Sequence, residues 1–515
     1  MRRILVALCY CAGLNGVDLE HIRRSLGGHF PGVVVRGPEA LCQKPALLAR
    51  IALECQAEGV VVGACAEKEH RMAFEREVQR VRLASLSLRT VDLKGWHRPV
   101  PDQEMALARA TLLLAGAVAR LQASPEVSPD AVRLRLASLS TPVSRRALFR
   151  LPPVRYQEVA VVKEDLCAAE QGCRLCLGAC PYQALEEGDG AIRVVRERCE
   201  GCGLCAPSCP VQAINLPANG ISPLRAEVHA LLTFPQERLS QRVIAFTCPC
   251  GALPQGDDSP PPSIFQVEVP CLGMLPLEVL LLVFGLGGTG VALPDAAHCP
   301  HRASPVVRGR IQALADLLEA LGLGRERLAI LPSDKGAQAD TLHRLATLPS
   351  LAPLETSRED GLPALLLALA QRASARVHQE HSFVPLGVVQ VSTACTLCGT
   401  CATLCPPQAL AIQESEGEVA LTFNPARCTA CALCVPACPE RAISLWQGVD
   451  TTTLAQGPRV LARTEQAVCR SCGRPFMPLA LVKRVESLMA QQGIANLHGF
   501  TGLCPDCRAF RPLPP

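Results

Sequence analysis

Cysteine is the residue type through which this sequence could do chemistry. The chain has 29 cysteines among 515 residues, and they fall into five groups along the sequence. Within a group, neighbouring cysteines mostly lie two or three residues apart, which suits a shared metal better than a disulfide. Because four thiolates complete one site, group sizes of five, eight, four, eight and four leave one cysteine over.

Two stretches near the C-terminus have the same cysteine spacing. Residues 395–405 and 428–438 each read Cys-x2-Cys-x2-Cys-x3-Cys, and proline follows each. Three thiolates of such a loop reach three corners of one [4Fe-4S] cluster, while the fourth ligates the other cluster. We therefore predict one cluster on Cys395, Cys398, Cys401 and Cys438, and a second on Cys428, Cys431, Cys434 and Cys405.

An earlier pair of stretches repeats this pattern with one departure. Residues 199–209 have the regular spacing, but Glu170 stands where the partner stretch should have its first cysteine. We predict that the loop bulges and that Cys167 takes this corner; a three-iron cluster, or Glu170 as a ligand, is the alternative. The predicted sets are Cys167, Cys173, Cys176 and Cys209 for one cluster, and Cys199, Cys202, Cys205 and Cys180 for its neighbour.

The last cysteine of each stretch begins an internal repeat, Cys-Pro-x-x-Ala-(Leu/Ile). We expect the proline to start a short helix, and the alanine and Leu/Ile to pack against the cluster. These motifs closely resemble bacterial two-cluster ferredoxins over residues 165–216 and 393–446. The resemblance implies two [4Fe-4S] clusters and one-electron transfer in each domain; zinc knuckles are the alternative.

The C-terminal group has the spacing of a tetrahedral metal site. Two Cys-x2-Cys pairs, separated by 31 residues, supply Cys469, Cys472, Cys504 and Cys507. Zinc is the expected ion and a single iron the alternative. Four thiolates leave no open position, so the expected role is structural. We expect the nearby basic residues to form a solvated face rather than a nucleic-acid contact: Arg470, Arg474, Lys483 and Arg484.

The other cysteines require strands and helices to bring them together. In residues 1–121 we predict alternating strands and helices, with Cys9 and Cys65 directly after strands 4–8 and 60–62, where α/β sites gather. The segments around Cys9-Tyr-Cys11-Ala, Cys42 and Cys65 resemble the N-terminal domain of the flavin-carrying subunit of heterodisulfide reductase. That resemblance implies a [4Fe-4S] cluster on Cys9, Cys11, Cys42 and Cys65; the alternative is unligated core cysteines. Cys55 is expected to be a buried thiol, and His70 a structural or surface residue.

Residues 242–333 are predicted to place thiols after three strands of a small sheet. The segments with Cys248 and Cys250, Pro270-Cys271 and His298-Cys299-Pro-His301 resemble the delta subunit of methyl-viologen-reducing hydrogenase. The resemblance implies one [2Fe-2S] cluster on Cys248, Cys250, Cys271 and Cys299; vestigial thiols are the alternative. The sequence Gly285-x-Gly-x-x-Gly290 follows a predicted helix and precedes a strand, the reverse of a dinucleotide fingerprint, so we predict no flavin.

Composition limits the classes of function. A net charge of +4 and only 3% aromatic residues disfavour a nucleic-acid partner. No apolar run is long enough to span a membrane, so we expect a cytoplasmic protein with peripheral membrane association at most. The expected fold class is multidomain α/β plus α+β, in these segments: 1–121, heterodisulfide-reductase-like; 122–156, linker; 157–220, dicluster ferredoxin domain 1; 240–333, hydrogenase-delta-like; 334–390, helical spacer; 391–447, dicluster ferredoxin domain 2; and 465–512, zinc-ribbon-like tail.

The expected function follows from this set of sites. The expected cofactors are four [4Fe-4S] clusters, a fifth in the N-terminal domain, one [2Fe-2S] cluster and one zinc ion. Because the sequence has no P-loop, nucleophile elbow or flavin fingerprint, we expect an electron-transfer subunit without its own catalytic site. Its expected partners are an oxidoreductase of the hydrogenase, dehydrogenase or heterodisulfide-reductase type and a second redox protein. The alternatives are a redox or iron sensor that docks through the zinc ribbon, and a structural scaffold.

Overall fold

The computed structural model describes residues 2–12, 16–65, 68–81, 87–93, 102–125, 131–136, 154–253, 260–297, 299–355, 360–415, 417–492 and 501–509. It divides into two compact units, Met1–Cys167 with Leu175–Ala373, and Ala168–Arg174 with Ser374–Pro515. Within the described ranges, no helix combines the length and the apolar character that crossing a bilayer requires.

The first unit begins with a parallel sheet whose strands run in the order β2-β1-β3-β4. Strands β1 and β3 are buried along their whole length, as expected for apolar runs covered by helices on both faces. The predicted alternation of strand and helix is observed here. Its elements are β1 (Ile4–Cys9), α1 (Gly16–His29), β2 (Val33–Glu39), α2 (Ala46–Glu54), β3 (Gly59–Ala64), α3 (Lys68–Arg80), β4 (Leu88–Asp92) and α4 (Gln103–Ala123).

The segment predicted as a linker, 122–156, is partly structured. Strands β5 (Val132–Leu136) and β6 (Val154–Glu158) form an antiparallel pair. The remaining linker residues, 126–130 and 137–153, lie outside the described part of the chain.

The first cysteine-rich segment consists of short elements. Strands β7 and β10 pair antiparallel, as do β8 and β9. A long helix follows and packs against α4. The elements are β7 (Val161–Val162), α5 (Leu175–Ala179), β8 (Leu185–Glu187), β9 (Ile192–Val194), β10 (Ile214–Asn215) and α6 (Ile221–Thr233).

A second parallel sheet, in the order β12-β11-β13-β14, completes the first unit. Helix α7 ends at Gly285 before β13 begins at Gly290, so the glycine-rich stretch links a helix to a following strand. The elements are β11 (Val243–Thr247), β12 (Ile264–Glu268), α7 (Leu277–Gly285), β13 (Gly290–Pro294), α8 (Ser304–Ala320), β14 (Leu328–Leu331), α9 (Lys335–Thr347) and α10 (Leu362–Arg372).

The segment 334–390, expected to be a helical spacer, contains α9 and α10, but α9 belongs to the preceding sheet. Leu342 and Leu345 of α9 pack in one core cluster with Val243 of β11. The segment thus begins with a helix whose apolar face is buried against the parallel sheet.

The second unit contains two mainly antiparallel sheets, in the orders β15-β19-β16 and β17-β18-β20-β21. Helix α13 begins after Asp450, whose carboxylate accepts the Thr452 and Thr453 N–H groups. The elements are β15 (His378–Glu380), β16 (Gly387–Val391), α11 (Thr400–Thr403), β17 (Leu410–Ser415), β18 (Glu418–Phe423), α12 (Cys434–Ala437), β19 (Ile443–Asp450), α13 (Thr451–Gln456), β20 (Arg459–Val468), β21 (Pro475–Pro478), α14 (Leu479–Gln491) and α15 (Pro505–Ala509).

Candidate metal centres

The repeated hexad Cys-Pro-x-x-Ala-(Leu/Ile) forms the same turn four times. In each copy the cysteine carbonyl accepts the N–H of the residue three positions later. That residue has left-handed φ, between 49° and 54°, at Gln183, Gln212, Gln408 and Arg441. The next N–H, from the alanine, then donates to the cysteine Sγ at 3.2 to 3.3 Å.

The expectation that the proline starts a helix is therefore wrong. Proline presets φ for the second position of a β-turn, and that preference is the one used here. The short helical segments precede the proline instead, between the third and fourth cysteines, as in α11 and α12. The final Leu or Ile begins a strand: β8, β10, β17 or β19. The alanine contributes its backbone N–H to the thiol.

In the second unit the cysteines have an exchanged arrangement, in which the fourth cysteine of each stretch lies with the first three cysteines of the other. Burial raises the pKa of Cys401 to about 11, and the thiolates of Cys395, Cys398 and Cys438 add to this shift. Burial also raises the pKa of Cys434 to about 12, and the thiolates of Cys431, Cys428 and Cys405 add to this shift. Cys438 thus lies with the first three cysteines, and Cys405 with the three that follow it in sequence.

Four converging thiols surround an opening in this unit. A small pocket has Cys395, Cys398, Cys401 and Cys438 in its wall. Cys398 is exposed, whereas Cys401 is buried. Clustered thiolates repel each other unless a cation lies among them, so this donor set fits a cationic iron–sulfur cluster.

Left-handed residues on both sides of the second cysteine shape these loops. Leu397 and Gly399 flank Cys398 with positive φ, and the other two regular stretches share this pattern. In the same loop, the Leu397 N–H donates to the Cys395 sulfur and the Thr400 N–H to the Cys398 sulfur, which favours both thiolates. The backbone therefore supplies donors to sulfur as well as shape.

The regular set of the first unit is arranged in the same way. A small pocket is lined by Cys180, Cys199, Cys202 and Cys205. Burial raises the pKa of Cys202 to about 11, with contributions from the Cys180 and Cys199 thiolates. The Ala160 N–H points at the Cys199 sulfur, 3.5 Å away. These thiols also fit one cluster.

The irregular set, Cys167, Cys173, Cys176 and Cys209, stays a prediction. Its loop, Ala168–Arg174, is assigned to the second unit. Cys167 is half-buried and accepts the Ile192 N–H at 3.5 Å, whereas Glu170 is exposed.

A third set of thiols lies at the carboxyl ends of parallel strands β11, β12 and β13. The Cys271 and Cys299 sulfurs are 3.7 Å apart. Burial raises the pKa of Cys250 to about 11, and Cys248 and Cys299 add to it. The structure therefore brings together the four cysteines predicted for this site; His298 lies outside the described residues.

The N-terminal thiols converge on Cys42. Its sulfur lies 3.4 Å from that of Cys9, 3.3 Å from that of Cys11 and 3.4 Å from that of Cys65. Two backbone groups support them, since Cys42 N–H donates to the Cys9 sulfur and Cys65 N–H to the Cys11 sulfur. Cys55, expected to be buried, is partly buried and packs against the same apolar core.

His70 lies beside this N-terminal site, at the start of α3. Its Nδ1 is 3.1 Å from the Cys65 sulfur. Cys42, Cys65 and His70 also form a group of possible metal ligands. The expectation that His70 is structural rather than a ligand stays a prediction.

The C-terminal cysteines form a compact tetrad whose sulfurs all lie within 4.8 Å of one another. The Cys504 N–H donates to the Cys469 sulfur at 3.3 Å, and this bond holds the pKa of Cys469 at about 6. Of the four neighbouring basic residues, Arg474 pairs with Asp506 and Arg484 with Glu440. The tetrad fits a single tetrahedral ion.

Two segments of the chain match known families. Residues 394–442 match the 4Fe-4S dicluster domain, and residues 161–219 match the LdpA Fe-S cluster-binding domain. The chain has iron–sulfur domains. The two matches cover both eight-cysteine segments and support 4Fe-4S clusters as their cofactors. No curated protein matches the chain.

Proposed function

We propose that this protein is an electron-transfer subunit that passes electrons one at a time between a partner oxidoreductase and a second redox protein. The observation that supports the proposal is the exchanged cysteine arrangement. Cys438 lines one pocket with Cys395, Cys398 and Cys401, and Cys180 lines another with Cys199, Cys202 and Cys205. A zinc knuckle binds one ion and needs no ligand from a second stretch, whereas two adjacent [4Fe-4S] clusters each take their fourth cysteine from the other stretch.

The chain's own residues hold and tune these sites. When bound, iron–sulfur clusters supply reversible one-electron transfer. The hexad alanines and the loop residues direct N–H groups at the sulfurs, which favours the more negative, reduced state. Burial keeps most of the thiols from water, while Cys398 and Cys250 are exposed. These two positions are where electrons would enter or leave most directly.

The finer assignments extend this proposal. Cys248, Cys250, Cys271 and Cys299 would hold a [2Fe-2S] cluster, and Cys9, Cys11, Cys42 and Cys65 a [4Fe-4S] cluster, as the resemblances imply. The C-terminal tetrad would hold zinc, with four thiolates and no position for substrate. By the same resemblances, the partner is an oxidoreductase of the hydrogenase, dehydrogenase or heterodisulfide-reductase type.

Metal analysis of full-length protein purified without oxygen tests this function. We expect roughly twenty irons and about one zinc per chain, with EPR signals that appear on reduction by dithionite and vanish on oxidation by a viologen. Cys395→Ser should lower the iron content, whereas Cys55→Ser, outside the predicted sets, should not. Colourless protein that holds only Zn²⁺ would refute the proposal. DNA binding that depends on cluster state would favour the sensor instead.

A further inference from the structure

Two predicted metal sites of the first unit are joined by a side-chain hydrogen bond. Tyr182 lies two residues after Cys180, and His301 two residues after Cys299. The Tyr182 Oη and the His301 Nδ1 are 2.6 Å apart. Their rings meet edge to face, with centroids 5.8 Å apart. Each residue therefore links the loop of its own site to the loop of the other.

The position of Tyr182 in the hexad explains why it reaches outward. It is the residue after the proline, and the other hexads have Val211, Pro407 and Glu440 there. In the second unit, Glu440 also leaves its turn, and it pairs with Arg484 of α14 at 2.9 Å. This turn position thus presents a side chain to whatever packs beside the cysteine loop.

Two glycines show how closely the loops of these sites approach. A Cβ on Gly273, two residues after Cys271, would lie 2.4 Å from Leu204 Cδ2. A Cβ on Gly203, next to Cys202, would lie 3.1 Å from the Cβ of Met274. A larger residue at either position would require the facing side chain to shift. The two loops are therefore closely packed at these glycines.

We propose that the Tyr182–His301 hydrogen bond acts as a clamp, which fixes the distance across which one electron passes directly between two sites. One site is formed by Cys180, Cys199, Cys202 and Cys205, and the other by Cys248, Cys250, Cys271 and Cys299. This inference rests on the proposed function. One cluster loses an electron as the other gains it, and no bond or proton changes. Tyr182 and His301 are positioning residues, since they act by fixing the two cysteine loops.

Two variants of the full-length, anaerobically loaded protein test the clamp. Tyr182→Phe removes the hydroxyl and His301→Gln the imidazole, while His343→Gln, on the exposed side of α9, is the matched control. The readouts are iron content, the midpoint potential of each site, the EPR coupling between the two reduced sites, and the rate of electron transfer between them after flash reduction.

We expect both variants to keep their iron and potentials but to lose EPR coupling. Their electron-transfer rate should also fall, because tunnelling weakens steeply as the two sites move apart. His343→Gln should match the unmodified protein. Unchanged coupling and rate, a shift of potential alone, or loss of iron from both variants would each overturn the clamp. Absence of iron from the unmodified protein would instead refute the proposed function.

Discussion

Gly201 offers a direct test of how tightly the first cluster loop is held. It lies between Cys199 and Cys202 with φ +62°, and a Cβ there would come 2.2 Å from the Glu158 carbonyl oxygen. The equivalent positions in the second unit, Leu397 and Ala430, have the same handedness but carry side chains. In Gly201→Ala the added methyl must therefore push the loop away from Glu158, the last residue of β6.

The loss of stability expected for Gly201→Ala has two parts. Left-handed φ costs a non-glycine residue roughly 1–2 kcal/mol. The overlap adds roughly 1–3 kcal/mol, the usual cost of overpacking, because the neighbour is backbone and cannot rotate away. Gly322→Ala isolates the first part, since Gly322 has φ +65° and no neighbour within 4 Å of its Cβ position. We therefore expect Gly201→Ala to cost more than Gly322→Ala.

The assay is anaerobic thermal unfolding followed by absorbance and by EPR. Gly201→Ala should lose the signal of the Cys180, Cys199, Cys202 and Cys205 site at a lower temperature than the other signals. Gly322→Ala should shift unfolding only by the few degrees that about 1–2 kcal/mol produces. Equal shifts in the two variants would show that the contact with Glu158 does not constrain the loop, and would refute the reasoning.

Three further predictions concern other sites. His70→Ala should lower the midpoint potential of the N-terminal site by roughly 40 mV in a potentiometric EPR titration, because one hydrogen bond to the Cys65 sulfur, worth about 1 kcal/mol, is lost. Loss of iron would instead show that His70 is a ligand. The control is His21→Ala at an exposed position. Arg120→Met should cost roughly 3–5 kcal/mol in denaturant unfolding, because Arg120 is buried and its ion-pair partner Glu227, 14% exposed, would lose its counter-charge. Arg23→Met, at an exposed pair, should cost under about 1 kcal/mol. Zn²⁺ binding at pH 7 should release fewer than four protons, as measured by calorimetry in several buffers, because Cys469, with a pKa of about 6, is already a thiolate. Cys507 still carries its proton, since the bond to Cys504 raises its pKa to about 12. Release of four protons would contradict this.

The sequence was most informative where the ligands are close neighbours in the chain. A Cys-x2-Cys-x2-Cys loop leaves few ways to arrange three thiols, so the regular sets could be predicted from spacing. The thiols after β1 and β3 could also be anticipated, because the carboxyl ends of parallel strands share one edge of a sheet. The family matches at 161–219 and 394–442 fall on the segments where spacing alone was specific.

Features that depend on distant partners were not predictable. Tyr182 meets His301 across 119 positions of sequence. The helix expected after Cys-Pro was wrong for a local reason: proline suits a β-turn as well as a helix start, and the N–H···S bond that selects the turn leaves no mark in the sequence.

Backbone strain in the cysteine loops also indicates that these loops are built for a ligand. Among the described residues, ten that are not glycine have positive φ, and seven of these lie in the cysteine loops and hexads: Gln183, Gln212, Leu397, Gln408, Ala430, Ala432 and Arg441. At a cost of order 1 kcal/mol each, the seven together approach the whole net stability of a typical domain. Strain at this level persists only where something else determines the conformation, and N–H bonds to bare, mutually repelling thiolates are too weak to do so.

Metal should therefore be what keeps these turns closed. Removal of iron should release the four hexad alanine N–H groups, of Ala184, Ala213, Ala409 and Ala442, to rapid hydrogen exchange, while β1 and β11 stay protected because their burial does not depend on a cluster. Exchange followed by mass spectrometry on loaded and iron-free protein would measure this difference. Equal protection of the hexads in both forms would mean that the chain holds the strained turns by itself, and the strain would then no longer indicate a bound cluster.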